Sequence, residues 1–370
     1  MKLFCARQLG FHRLQNRIVM APMTRSRATG NSPNALMAEY YAQRATAGLI
    51  ISEGVAPSPN GLGYARIPGI STEEQTSGWK LVSEAVHAEK GTLFIQLMHC
   101  GRVGSRLNLP PGAELIAPSA VPLSGTVWTD LQGEQPYDQP REMTADEISS
   151  TICEYQLAAR NAITAGCDGV EVHGANGYLI TQFLDPGSNR RSDGYGGDGS
   201  RRNRFALEVT AAVANAIGNG RVGIRLSPYG VFNEMSGSYE GIAEQYIELA
   251  GALGQLGLLY LHLVDHSAMG APKPDPATVQ AMCRAFRQRG GQAVILSGGY
   301  DAVRAEADLQ SDAADLIAFG RPFISNPDLV ERLRQGKPLA EPDQATFYTP
   351  GPAGYTDYPA ASAGPACHNG

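Results

Sequence analysis

The chain has 370 residues, 43 % apolar and 18 % charged, the balance of a globular protein able to bury a sizeable core. A net charge of −6 and five scattered lysines (Lys2, Lys80, Lys90, Lys273, Lys337) argue against nucleic acid or an anionic membrane as partner. There is no apolar run of about 18 residues, no signal-like apolar core after Met1, and no C-x2-C pair among the six cysteines (5, 100, 153, 167, 283, 367). These features predict a cytoplasmic protein with free thiols and no membrane span.

In chain order, residues 9–16 read as a short hairpin. Near-continuous apolar runs follow at 17–21, 49–53, 93–98, 169–173, 222–226, 258–264, 293–297 and 316–319, separated by helical patterns such as 144–165 and 202–216. Buried parallel strands alternating with helices read this way. Eight such units predict an α/β fold, a (β/α)8 TIM barrel in one domain over 1–370; an open doubly wound sheet is the alternative. The barrel is favoured for two reasons. The nearest approach to a dinucleotide fingerprint, Gly61-Leu-Gly63-Tyr-Ala-Arg66, lacks the third glycine. Polar residues also collect at strand C-terminal ends (Glu53, Gln96, His173, Arg225, Asp265, Arg321), where barrel enzymes carry their chemistry. The Pro/Gly-rich stretch 101–141 is too long for a plain connection and reads as a lid-like excursion beside the site. The Gly-, Pro- and Ala-rich end, about 360–370, reads as a flexible tail.

The turn after strand seven is Ser297-Gly298-Gly299-Tyr300, and that after strand eight is Phe319-Gly320-Arg321-Pro322. Phosphate sites of these barrels sit after strands seven and eight. Glycines admit the backbone close to phosphate oxygens, and Arg321 adds a forked cation. This predicts a phosphate belonging to a substrate or a cofactor.

Strand parity turns Gln96 and Met98 inward and Ile95 and Leu97 outward, and likewise Glu171 and His173 inward against Val170 and Val172. Asn176 and Tyr178 follow His173 by three and five residues. Imidazole and carboxamide N–H groups can grip one oxygen, and a tyrosine can deliver a proton at neutral pH. A Schiff-base aldolase needs a lysine at a strand end, and none of the five lysines lies there. For a metal site, His262 and His266 share a face if the strand runs through both, but no third ligand is apparent, so no metal is expected.

At these residues the sequence closely resembles the Old Yellow Enzyme family of flavin-dependent ene-reductases, from about Leu3 to Pro359. The resemblance rests on Asn16-Arg-Ile-Val-Met-Ala-Pro-Met-Thr24-Arg-Ser-Arg27, Phe94-Ile-Gln96-Leu-Met-His99 and His173-Gly-Ala-Asn176-Gly-Tyr178-Leu. It continues through Gln182-Phe-Leu-Asp-Pro-Gly-Ser-Asn-Arg-Arg-Ser-Asp-Gly-Tyr-Gly-Gly197 and Arg321-Pro-Phe-Ile-Ser-Asn-Pro-Asp328. It implies noncovalent FMN, its phosphate at Gly298, Gly299, Gly320 and Arg321. Pro22, Met23 and Thr24 would lie along the flavin edge, Thr24 tuning its potential as in the classical branch. Gly54 would approach the ring, and Gln96 and Arg225 would meet the pyrimidine end. It implies further that His173 and Asn176 bind the substrate oxygen, Tyr178 donates the proton, and Tyr64, Met98 and Tyr348 border the substrate.

The implied reaction is ping-pong: NADPH or NADH reduces FMN, which then gives hydride to Cβ of an α,β-unsaturated carbonyl or nitroalkene. Alternatives are a nitrate-ester or nitroaromatic reductase of the same family, or a flavin-binding protein for sensing or storage. Relatives with an iron–sulfur cluster are disfavoured, because no cysteine cluster of suitable spacing exists. Many relatives carry Trp where this chain has Met98, which predicts a roomier pocket. Oligomeric state is not written in these patterns.

Overall fold

The structure is a computed structural model and describes residues 1–360. Eight parallel strands close into a barrel: β1 (Ile18–Met20), β2 (Leu49–Val55), β3 (Leu93–Leu97), β4 (Gly169–Gly174), β5 (Val222–Leu226), β6 (Tyr260–Val264), β7 (Ala293–Ser297) and β8 (Leu316–Phe319). The helices around it are α1 (Ala35–Ala42), α2 (Glu73–Ala88), α3 (Ala145–Thr164), α4 (Leu179–Leu184), α5 (Gly199–Ile217), α6 (Ile242–Gln255), α7 (Pro276–Gln288), α8 (Ala302–Gln310), α9 (Arg321–Ser325) and α10 (Leu329–Gln335). The closed barrel replaces the open-sheet alternative. Each expected strand exists with small changes at its ends: β1 is shorter, β2 runs on to Val55, and β6 begins only at Tyr260.

Side-chain alternation builds two apolar layers. Val19, Leu49, Ile51, Phe94, Tyr260, Ile295 and Leu316 fill the bore, while Ile95, Leu97, Val170, Val172, Ile224, Leu261 and Val294 pack outward in the larger cluster shared with the helices. The antiparallel hairpin Arg7–Leu9 with His12–Leu14 contributes Leu9 and Leu14 to the bore cluster, so it plugs the barrel floor. Helix starts follow local chemistry. Thr72 with Gln75 and Thr144 with Glu147 form reciprocal capping boxes on α2 and α3. The end residues of the expected 144–165 helix are therefore its caps.

The 101–141 excursion is folded. It carries an antiparallel hairpin, Thr126–Thr129 with Gly133–Pro136, and a short pair, Ile116–Ala117 with Arg141–Glu142. Its root is pinned by the buried Gln182, which donates to Cys100 O (3.0 Å) and Gly177 O (2.8 Å) and accepts from Arg102 N (3.0 Å).

The C-terminal end of the described chain is docked, not frayed, as far as Tyr355, which is fully buried and stacks on Tyr40 at 3.9 Å. Arg25 and Arg27 hold this strap by donating to the backbone carbonyls of Thr346, Phe347, Gly351, Ala353 and Gly354. The expected tail lies, from residue 361 onward, outside the described residues. The five described cysteines are unpaired, and no helix among the described residues is long and apolar enough to cross a membrane.

Candidate active site

One deep cavity of about 1300 Å3 opens at the C-terminal ends of the strands. Strand ends and βα loops place into its wall Pro22, Met23, Thr24, Gly54, Tyr64, Gln96, Met98, His173, Asn176, Tyr178, Arg225, Gly298, Gly299, Gly320 and Arg321, and the C-terminal strap adds Tyr348. Strand-end and βα-loop residues up to 299 apart in sequence thus meet because a parallel barrel delivers every strand's C-terminal end to one face.

The phosphate-like end is made of backbone. Gly298 and Gly299 have φ of +122° and +61°, and a Cβ on Gly298 would sit 1.9 Å from Asp265 O. No other residue fits this turn. The amides of Gly299, Tyr300 and Arg321 have no hydrogen-bond partner among the described residues, so three N–H donors and a guanidinium remain to receive an anion.

The opposite end is made of side chains. His173 Nδ1, Asn176 Oδ1 and Arg225 Nε are buried and unpartnered among the described residues. Orphaned buried polar atoms are expensive, and three of them around one cavity mark a polar ligand's place. Burial, then the Arg225 charge, drives His173 well below the usual histidine range, so its imidazole is neutral. Asn176 adopts φ +62°, held by its N–H to Ser227 Oγ (2.9 Å) and its carbonyl from Asn233 Nδ2 (2.8 Å). Its carboxamide makes no hydrogen bond among the described residues, so either end can be presented. Tyr178 packs on His173 at 5.1 Å between ring centroids and shares a 3.2 Å hydroxyl contact with Tyr64. Burial raises Tyr178 above the usual phenol value, so it keeps its proton.

Two expectations are corrected. Glu53 is not at the rim: it is buried between Arg25 N (3.3 Å) and the Tyr41 hydroxyl (3.4 Å), where burial raises its carboxyl to about 7. The register of β2 shifts between Ile51 and Gly54, which turns Gly54 into the cavity in its place. His262 and His266 do not share a strand face, because β6 ends at Val264. His262 is bound to Glu171 and Ser297, while His266 lies in the following loop against Phe232. Tyr348 lines the cavity as expected and is 61 % exposed.

Phe232, His266 and Phe347 also line the cavity and were missed. Each sits on a loop or the strap, where no periodicity marks it. Glu171 was placed inward by parity, but its partners across the bore have no local signal.

A closed parallel barrel with free backbone amides after strands seven and eight and unpartnered polar groups across the same mouth is shaped for an elongated ligand with an anionic end. The profile described as the NADH:flavin oxidoreductase / NADH oxidase family matches residues 2–340. The chain is 43 % identical to 12-oxophytodienoate reductase 7 of Oryza sativa subsp. japonica, covering 96 % of this chain and 94 % of that one. It is 41 % identical to a probable flavin mononucleotide-dependent alkene reductase of Leishmania infantum, covering 95 % of each. Among solved structures it superposes on morphinone reductase with a TM-score of 0.92 at 44 % identity, over 97 % of this chain and 96 % of that one. The chain belongs to the NADH:flavin oxidoreductase family, in its Old Yellow Enzyme group. Its cofactor is FMN, with a nicotinamide dinucleotide as hydride donor.

Proposed function

We propose that this ene-reductase acts on α,β-unsaturated aldehydes, ketones, imides and nitroalkenes, with His173 and Asn176 gripping the activating oxygen and Tyr178 protonating Cα. The observation that carries this reading is the pair of buried, unpartnered groups, His173 Nδ1 and the Asn176 carboxamide, beside a protonated Tyr178. The residues fit FMN at both ends. Gly298, Gly299, Gly320 and Arg321 would hold the phosphate. Pro22, Met23, Thr24 and Gly54 would flank the ring, and Gln96 and Arg225 would meet the pyrimidine edge. When bound, the flavin supplies the hydride, received from NADH or NADPH and destined for the substrate carbon β to the activating group.

The chain's own residues do the rest. Two neutral N–H donors on the substrate oxygen draw charge out of the C=C bond and stabilise the enolate-like charge as it forms. The neutrality of His173 matters, because an imidazolium here would face the buried Arg225 cation. Tyr178 then forms the Cα–H bond as its O–H breaks, and the Tyr64 hydroxyl at 3.2 Å is placed to donate to the phenolate left behind. Tyr64, Met98 and the mouth residue Tyr348 border the space where substrate binds.

Rapid mixing separates the two halves of the cycle. His173→Ala with Asn176→Ala leaves flavin bleaching by NADPH or NADH near wild type and slows reoxidation by cyclohexenone by at least about 10² to 10³, the usual loss for such donors. Unchanged reoxidation sinks the clamp. A wild-type protein whose flavin is not reoxidised by any activated alkene sinks the reaction.

A further inference from the structure

From the cavity floor at Gln96 a line of polar groups crosses the bore, and the mechanism above uses none of its buried members. Glu171 on β4 is fully buried and is not in the cavity wall. Its Oε1 accepts from Gln96 Nε2 at 2.8 Å, and its Oε2 meets His262 Nδ1 at 2.8 Å. His262 Nε2 lies 3.1 Å from Ser297 Oγ, at the foot of the Gly298–Gly299 turn. The chain Gln96–Glu171–His262–Ser297 therefore runs from β3 to β7 under the whole site. Glu171 pairs in register with Gly223 of β5, where a Cβ would sit 2.1 Å from the Tyr260 ring. The same register sets Glu171 two residues below Arg225 of β5, which pairs with His173.

An ionised carboxylate only accepts hydrogen bonds. Glu171 therefore forces Gln96 to turn its NH2 downward and its carbonyl oxygen toward the cavity. The fully buried carboxylate also faces a buried cation: burial lowers Arg225 from its usual value, and the Glu171 charge is the largest influence opposing that. Burying a carboxylate costs several kcal/mol unless it is paired and hydrogen-bonded, and an apolar side chain would fill the bore as well. Its retention beneath Gln96 and Arg225 needs a reason in the site.

We propose that Glu171 is the positioning residue of the cofactor floor: it fixes Gln96 with its acceptor toward the flavin and counterbalances Arg225, thereby limiting how strongly the site favours the reduced, anionic flavin. This rests on the flavin site assigned above. The charge and the pose are separable. In Glu171→Gln the new carbonyl accepts from Gln96 and the new NH2 donates to His262 Nδ1. The imidazole proton moves to Nε2 and is donated to Ser297 Oγ, whose hydroxyl has Leu263 O as an acceptor at 3.3 Å. Every contact survives and only the charge is lost. Glu171→Asp keeps the charge but retracts the oxygens from Gln96.

The test is the two-electron midpoint potential of protein-bound FMN, by dye-coupled titration, together with the Kd for oxidised FMN. Glu171→Gln strengthens binding of reduced over oxidised FMN about tenfold, a rise of about 30 mV for a two-electron couple. Glu171→Asp leaves the potential near wild type and weakens retention of oxidised FMN several-fold. An unshifted potential in Glu171→Gln overturns the charge role. Unweakened retention in Glu171→Asp overturns the pose, and this arm stands even if Glu171→Gln does not fold. If the wild-type protein holds no FMN, it is the assignment of the site that has failed.

Discussion

Replacing Arg27 by methionine tests how the C-terminal strap shapes the cavity. Arg27 is 2 % exposed, and its guanidinium makes six hydrogen bonds: to the carbonyls of Arg25 (2.6 Å), Thr346 (2.8 Å), Phe347 (2.7 Å), Gly351 (3.3 Å) and Ala353 (2.9 Å), and to Thr349 Oγ1 (3.2 Å). It also lies over the Tyr355 ring at 4.8 Å. Methionine keeps much of the stem's apolar packing, so the loss is electrostatic. Five of the six bonds go to the strap. At about 1 kcal/mol net for each, removing them weakens strap docking by about 5 kcal/mol, more than a surface segment of this length can spare. The barrel core is untouched, so the strap opens locally while the global unfolding midpoint barely moves. Phe347, Tyr348, Thr349 and Pro350 then leave the cavity wall. KM for bulky enones rises with little change in flavin reduction, and limited proteolysis cuts within 344–355 much faster than in wild type. Equal cleavage rates with an unchanged KM would refute the argument that Arg27 secures the wall.

Three further outcomes are expected. Tyr178→Phe spares flavin reduction and slows enone turnover, with nitroalkenes suffering least because their anionic product tolerates slow protonation; equal losses on both substrate types would mean that Tyr178 only packs the site. Met98→Trp cuts turnover of bulky enones and alters product enantiomeric excess while leaving cyclohexenone nearly unaffected. The Met98 thioether lies back on Gly54, 2.5 Å from where a Cβ there would sit, a place no indole can occupy, so Trp must reach into the cavity; unchanged selectivity on chiral chromatography across several substituted enones would contradict this. Finally, burial lowers His99 to about 3. A folded-state value depressed below the unfolded 6.5 contributes stability that is complete above pH 6.5 and is lost as pH falls toward 3. Roughly 2–3 kcal/mol of it is gone by pH 4.5. In His99→Gln the drop in urea midpoint between pH 7 and pH 4.5 shrinks accordingly, and an unchanged drop would rule out His99 as a contributor.

The barrel and most of the wall of its site were legible because they are written in short-range patterns. Period-two alternation sorts Gln96 from Ile95 and His173 from Val172 whatever the strands pair with. A Gly-Gly turn announces its backbone freedom within two residues. The parallel barrel then carries every strand end to one mouth, so local readings at eight places become one cavity. The corrections arose where two distant segments compete for the same space. Its place at a strand end sends Glu53 to the rim, but the register shift in β2 releases it into a niche made by Arg25 and Tyr41. No local pattern shows that Tyr355 is buried, because Tyr40 and three arginines from the N-terminal half meet it.

The sequence by itself determined the fold class, the glycine turns after β7 and β8 and the identity of the groups at the mouth, since each depends on residue type, spacing and strand direction alone. Only the tertiary structure decided which of those groups are left without partners, how Met98 lies on Gly54, and that Glu171 joins Gln96 to His262 beneath the site. Hydrogen-bond satisfaction and close packing are properties of pairs, and these pairs are set by barrel closure between residues far apart in the chain.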